Sequence, residues 1–107
     1  MWRKTRSKQS SWSPLQQSIC YGVDPNRNFD FYWDQNGASS ACDADDYAGP
    51  AAFSEPETKN MANWILRLAK QNDLQAMFTL HSYGQLWLVP YGYTLPPVYP
   101  IDYEELV

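Results

Sequence analysis

The chain has 107 residues, which is enough for one domain at most. Hydrophobic residues make up 44% of it and aromatic residues 16%, so it has the apolar material for a core, which argues against general disorder. The net charge of −4 disfavours a nucleic-acid-binding or anionic-membrane surface, and no apolar stretch is long enough to span a bilayer. We therefore expect a small folded chain with no nucleic-acid or membrane partner.

The first half of the chain is predicted to be mostly irregular. Residues 1–19 are polar and serine-rich, and they lack the apolar segment of a signal peptide. Glycine, proline and asparagine recur so densely through residues 20–50 that regular structure there should be brief, and long loops of this kind are often functional. Cys20 and Cys42 are too few for a thiolate zinc site and too far apart for a redox pair. Their spacing leaves open one disulfide in an oxidising compartment or two unpaired buried thiols.

A helix is predicted to start near Ser54. Ser54 as N-cap and Glu57 three residues later match a capping box, and Pro56 suits the first turn. The helix should end near residues 71–73. Its apolar positions recur at helical spacing and predict a face turned to the core: Met61, Trp64, Ile65 and Leu68.

Residues 77–80 and 86–89 are short apolar runs that predict two buried strands. His81, the only histidine, follows the first run at a position that suits a metal ligand or an acid–base group. The alternative is an ordinary hydrogen-bonded residue at a strand edge. A proline- and tyrosine-rich connection follows, and Asp102 with Glu105 resembles the start of another helix. This order of loop, helix and strands is typical of an α/β domain.

Four stretches together resemble the middle of the zinc metallocarboxypeptidases of the digestive A/B family. They are MWRKTRS at the N-terminus, CYGVDPNRNFDFYW from Cys20, YAGPAAFSEPET before the helix, and FTLHSYGQLWLVPYGYT around His81. The resemblance implies part of an α/β/α fold, with a mixed central sheet flanked by helices and a long loop closed by a Cys20–Cys42 disulfide. Residues 1–107 are then expected to be the central portion of one catalytic domain, truncated at both ends.

The same resemblance implies zinc-dependent hydrolysis of C-terminal peptide bonds. In the family a His-x-x-Glu motif and a later histidine hold the zinc, and His81 matches the later histidine in its Thr-Leu-His-Ser-Tyr context. This chain has no His-x-x-Glu, and the resemblance places the general-base glutamate outside it as well. We therefore expect that the 107-residue chain alone neither holds zinc tightly nor cleaves peptides.

The substrate-binding residues are also implied by the resemblance. Asn26 and Arg27 should bind the free carboxylate of a peptide, for which the planar guanidinium is well matched; taken alone, the Asn-Arg-Asn string favours a solvated turn instead. Arg6 should stabilise the developing oxyanion and is the predicted catalytic residue. Arg3 should help to guide the substrate, and Tyr83 either lines the substrate groove or is a plain core or rim aromatic.

Two other functions are compatible with the sequence. A chain that keeps Arg6, Asn26 and Arg27 without the zinc ligands is predicted to bind peptide C-termini without cutting them. The content of Trp and Tyr alone suggests an aromatic-rich carbohydrate-binding module. For the peptidase, the resemblance implies a secreted monomer acting on peptide or protein C-termini, with the residue that sets specificity outside this sequence.

Overall fold

A computed structural model describes residues 2–10 and 12–106, which divide into two compact units, Met1–Leu74 and Gln75–Val107. The first unit contains helix α1 (Pro14–Ile19), a short 3-10 turn (Pro25–Arg27) and helix α2 (Pro56–Lys70). The second contains helix α3 (Tyr103–Leu106). Across the described ranges, the β structure is limited to one isolated parallel bridge between Ser39 and Tyr47.

Helix α1 forms where irregular chain was expected. Ser13 Oγ accepts a hydrogen bond from the Gln16 amide at 3.3 Å, and Gln16 Oε1 accepts one from the Ser13 amide at 3.0 Å. With Pro14 at the first helical position, these contacts form a complete capping box. The expectation of irregular chain was wrong because this local capping motif stabilises a helix despite the serine content of the segment.

Helix α2 begins at Pro56, and its N-cap is Glu55, which makes no side-chain capping bond. The predicted Ser54–Glu57 capping box is therefore wrong. The reason is that the Ser54 hydroxyl accepts a hydrogen bond from Asn28 Nδ2 at 2.9 Å and donates to the Glu55 carboxylate at 3.3 Å. The end of the helix matches its prediction, with Gln71 as C-cap.

The apolar face of α2 is not a core face in this structure. Trp64 is 53% exposed and Met61 46% exposed, whereas Ile65 and Leu68 are partly buried. A helix buries its apolar stripe only where a second element covers it. Within the described part of the first unit, no other helix packs extensively against α2.

The apolar core of the first unit is built from residues outside its helices. Trp12, Cys20, Val23 and Tyr47 form the buried cluster, and Cys42 packs against it. The Cys20–Cys42 disulfide is present, with the two Cα atoms 5.2 Å apart, within the usual range for such a bond. The disulfide-closed loop and its sparse regular structure were both predicted correctly.

The second unit does not contain the two predicted buried strands. Residues 77–80 and 86–89 have no strand assignment, and Leu80 is 99% and Trp87 73% exposed. A strand requires a hydrogen-bonded neighbour, and the described residues of this unit supply none for either segment. The mixed central sheet is thus not confirmed. Helix α3 does confirm the helical start predicted at Asp102 and Glu105. None of the helices in the described ranges has the length and apolarity that crossing a bilayer requires.

Candidate substrate-binding site

The 3-10 turn Pro25–Arg27 carries two of the predicted substrate-binding residues and is fixed at both ends. Asp24 caps it, because its Oδ1 accepts a hydrogen bond from the Asn26 amide at 3.0 Å. Pro25 at the first position restricts φ, and the Asn28 amide closes the turn onto the Pro25 carbonyl at 3.4 Å. The backbone positions of Asn26 and Arg27 are therefore set by the local sequence.

The Arg27 side chain keeps hydrogen-bonding capacity. Its Nη1 donates to the Asn26 carbonyl at 3.4 Å, a long contact. Its Nε is buried and has no hydrogen-bond partner among residues 2–10 and 12–106. Buried donors are nearly always satisfied, so this unpaired Nε is an exception. Because the Nε is shielded, a carboxylate would reach Arg27 through its exposed Nη groups.

Arg3 forms an ion pair with a buried carboxylate. Its Nη2 and Nε lie 2.7 and 2.8 Å from Asp24 Oδ2, and the Asp24 side chain is 2% exposed against 48% for Arg3. The same carboxylate caps the turn that holds Asn26. Arg3 is thereby connected through Asp24 to the Asn26–Arg27 turn, and its predicted role in guiding substrate stays a prediction.

Arg6 is exposed and lies over an aromatic ring. Its guanidinium carbon is 4.9 Å from the centroid of the Trp2 ring, a cation–π contact. Trp2 is itself held by a hydrogen bond from its Nε1 to the Thr5 carbonyl at 3.1 Å. The contact directs Arg6 while leaving its charged end accessible, and its predicted catalytic role stays a prediction.

Sequence reasoning overlooked the residues that anchor these segments. Asn28 is fully buried: its Nδ2 donates to the Ala48 and Ala51 carbonyls at 2.8 and 3.1 Å, and its Oδ1 accepts from the Glu55 amide at 3.1 Å and from Thr58 Oγ1 at 2.7 Å. Asp24 could have been recognised, since an aspartate before Pro25 suits an N-cap. The contacts of Asn28 and Glu55 join residues far apart in sequence, and no local pattern indicates them.

Lys4 supports the disulfide-closed loop. Its buried Nζ donates to the Cys42 and Ala44 carbonyls at 2.7 and 3.0 Å and lies 5.6 Å from the Tyr47 ring centroid. Burial lowers the pKa of Lys4, and the nearby carboxylates of Asp45, Asp43 and Asp24 partly oppose that shift. Burial raises the pKa of Tyr47, with smaller contributions from Asp34 and Glu55. Lys4 thus has a structural role.

His81 and Tyr83 belong to the second unit, whereas the predicted arginines and Asn26 belong to the first. Both His81 and Tyr83 are exposed. In the described residues, no group of three or more His, Cys, Asp or Glu side chains is arranged to hold a metal ion. A catalytic zinc usually takes three protein ligands, so these residues do not fit a complete zinc site. His81 stays a predicted single ligand.

Comparison with known proteins identifies the family. The family model described as zinc carboxypeptidase matches residues 1–107. Carboxypeptidase B of Astacus astacus is 43% identical over 106 residues, covering 99% of this chain and 32% of that protein. Carboxypeptidase A2 of Mus musculus is 46% identical over 106 residues, covering 99% of this chain and 23% of that protein.

A solved structure agrees with these matches. Bovine thrombin-activatable fibrinolysis inhibitor, in complex with tick carboxypeptidase inhibitor, aligns with a TM-score of 0.83 and 36% identity, covering 98% of this chain and 32% of that one. The chain belongs to the zinc carboxypeptidase family. It spans between about a quarter and a third of the length of these relatives.

Proposed function

We propose that these 107 residues are the central part of a metallocarboxypeptidase catalytic domain that hydrolyses the C-terminal peptide bond of peptides and proteins. Membership of the zinc carboxypeptidase family supports the class of reaction. The observation that carries the assignment to this chain's own residues is the capped 3-10 turn Pro25–Arg27, which fixes Asn26 and Arg27 and leaves the Arg27 Nη1 in an exposed, long contact of 3.4 Å. An exopeptidase must bind a free carboxylate, and the Nη groups of a guanidinium suit one.

In this proposal three side chains of the first unit act on the substrate. Arg27 and the neighbouring Asn26 bind the terminal carboxylate, because the guanidinium and amide supply directed N–H donors. Arg6 stabilises the negative charge that develops on the scissile carbonyl oxygen. Since that charge exists only near the transition state, Arg6 accelerates the reaction without tightening substrate binding.

The proposal includes zinc only because the chain belongs to the zinc carboxypeptidase family. His81 would supply one ligand, and a zinc held there together with ligands from outside this chain would supply Lewis-acid chemistry. The described residues do not complete a zinc site, so the activity is assigned to a longer protein that includes this chain. The Cys20–Cys42 disulfide supports a secreted protein working in an oxidising compartment.

The test uses the protein encoded by this sequence together with its flanking coding sequence. It should release the C-terminal residue of a peptide with a free carboxylate and leave the C-terminally amidated peptide intact. Arg27→Ala should raise KM by about 10- to 100-fold, because it removes a charge-assisted contact to the carboxylate. Arg6→Ala should lower kcat by about 100-fold or more with little change in KM.

Arg67→Ala is the matched control, since Arg67 is an exposed arginine on α2, and it should leave both constants unchanged. Equal cleavage of the amidated peptide would contradict the assignment of Arg27. Binding of the free peptide without cleavage would instead support the second predicted function, a protein that holds peptide C-termini.

A further inference from the structure

Glu55 is a buried carboxylate at the start of α2. The residue is 1% exposed, and its Oε2 accepts hydrogen bonds from Thr5 Oγ1 and Ser7 Oγ, each at 2.6 Å. Its Oε1 lies 3.3 Å from Ser54 Oγ and 3.5 Å from Gln9 Nε2, both donors. Burying a carboxylate is costly, and an apolar side chain of similar size often stabilises such a position equally well. The burial of this carboxylate therefore indicates a role beyond stability.

The two residues that make the short contacts to Glu55 lie on either side of Arg6 in the sequence. The Thr5 and Ser7 side chains both reach Oε2, whereas the Arg6 side chain between them is exposed over Trp2. This alternation is that of extended chain, in which neighbouring side chains point to opposite sides. Holding Thr5 and Ser7 inward consequently directs Arg6 outward.

The flanking backbone is fixed by the same arrangement. Thr5 Oγ1 accepts from the Val23 amide at 2.8 Å while its hydroxyl donates to Glu55, and the Thr5 amide donates to the Val23 carbonyl at 2.8 Å. The Gly22 amide donates to the Ser7 carbonyl at 2.9 Å. Glu55 thus anchors both ends of a three-residue segment whose middle residue is Arg6.

We infer that Glu55 is a positioning residue for Arg6. Its carboxylate orients Thr5 and Ser7 so that the Arg6 guanidinium is held where the oxyanion develops. The inference rests on the proposed function, in which Arg6 stabilises that oxyanion. Asn28 joins the backbone amide of Glu55 to the Asn26–Arg27 turn, so the start of α2 supports both arginine-bearing segments.

Glu55→Gln in the protein with its flanking coding sequence tests this inference. The amide keeps the shape of the side chain but removes the charge that strengthens both hydroxyl contacts. We expect kcat to fall by about 10- to 100-fold, the effect of a small misplacement of a catalytic group, with KM changed less than about twofold. Glu57→Gln is the matched control: it makes the same change at an exposed site on the first turn of α2 and should leave kcat unchanged.

Ser7→Ala is a second variant that removes one donor and keeps the carboxylate. It should lower kcat on its own and add little in the Glu55→Gln background, because both changes act on the same contact between Ser7 and Glu55. Additive losses, or a variant that loses thermal stability with unchanged kcat, would limit Glu55 to a structural role and overturn the inference.

Amide hydrogen exchange provides a readout that does not require activity. Glu55→Gln should speed exchange of the Thr5, Gly22 and Val23 amides about tenfold or more, the factor for weakening one charge-assisted hydrogen bond. Amides near the end of α2, such as Lys70, serve as the reference. Unchanged exchange overturns the inference whether or not the parent cleaves peptides. An inactive parent with the expected exchange pattern contradicts the proposed function but retains Glu55 as the anchor of this segment.

Discussion

At the level of single residues, the buried side chains described in the first unit are as often polar or charged as they are hydrophobic. Of the described residues, the buried polar and charged ones are Lys4, Asp24, Asn28, Glu55 and Thr58. A buried polar group left without a partner costs about 1–3 kcal/mol, so each of these contacts matters to stability. The unit is therefore maintained by a hydrogen-bond network as much as by its small apolar cluster.

Tyr47 gives this network a pH dependence at the alkaline end. Burial raises its pKa above the ordinary value of 10.0, so the folded state holds the phenol proton more tightly than the unfolded state. The stability that this contributes is fully present below pH 10.0 and is lost as the pH rises through the raised pKa. Urea unfolding at a series of pH values above neutrality should show this loss.

The lowered pKa of the neighbouring Lys4 changes stability with pH in the opposite direction, so the control variant must leave Lys4 in place. Its pKa is lowered below 10.5, so the unfolded state holds that proton more tightly and stability rises as the pH approaches 10.5. The Tyr47→Phe variant keeps Lys4 and removes only the phenol. The free energy of unfolding of the parent, relative to this variant, should decrease above pH 10.0; a constant difference would be inconsistent with the raised pKa.

At the scale of elements, local signals predicted much of what local contacts determine, although the capping box of α1 was overlooked. The extent of α2 up to Gln71, the sparse structure of the disulfide-closed loop and the start of α3 all follow from nearby residues. The capping role predicted for Ser54 is not observed, because the Ser54 hydroxyl accepts a hydrogen bond from Asn28, which is remote in sequence. The strands expected at residues 77–80 and 86–89 also require hydrogen-bonded partner strands. A local apolar pattern does not show whether such partners are present.

Helix α1 provides an element-scale prediction. Ser13→Ala removes the acceptor for the Gln16 amide and should destabilise the protein by about 1 kcal/mol, the usual value of such a cap. Thermal unfolding followed by circular dichroism measures this. Ser40→Ala, in an exposed part of the loop, is the control and should have no comparable effect. Equal stabilities for the parent and both variants would mean that the capping box does not stabilise α1.

For the molecule as a whole, many large apolar side chains are exposed. The exposed large apolar side chains include Trp64 on α2 and, in the second unit, Phe78, Leu80, Leu86, Trp87 and Leu88. Many exposed apolar side chains commonly indicate surface that another part of a protein or a partner covers. This agrees with a chain that spans only 32% of Astacus astacus carboxypeptidase B.

The candidate site was predictable only in part, because some of its contacts join residues that are far apart in sequence. The residue types of Arg6, Asn26 and Arg27 indicated carboxylate and oxyanion chemistry through their resemblance to a family. Of the residues that hold these segments, Glu55 was evident only from the folded contacts, whereas Asp24 before Pro25 carries a local N-cap signal. A zinc site needs several ligands brought together from distant positions, and this sequence has one histidine.

Zinc binding is the property that depends most on the whole molecule. The purified 107-residue chain, dialysed against metal-free buffer, should contain far less than one zinc per chain by elemental analysis, because His81 alone does not make a tight site. His81→Ala should give the same low value. The longer protein should retain about one zinc per chain and lose both zinc and peptidase activity to a chelator. One tightly bound zinc in the 107-residue chain, abolished by His81→Ala, would mean that this sequence completes the metal site by itself.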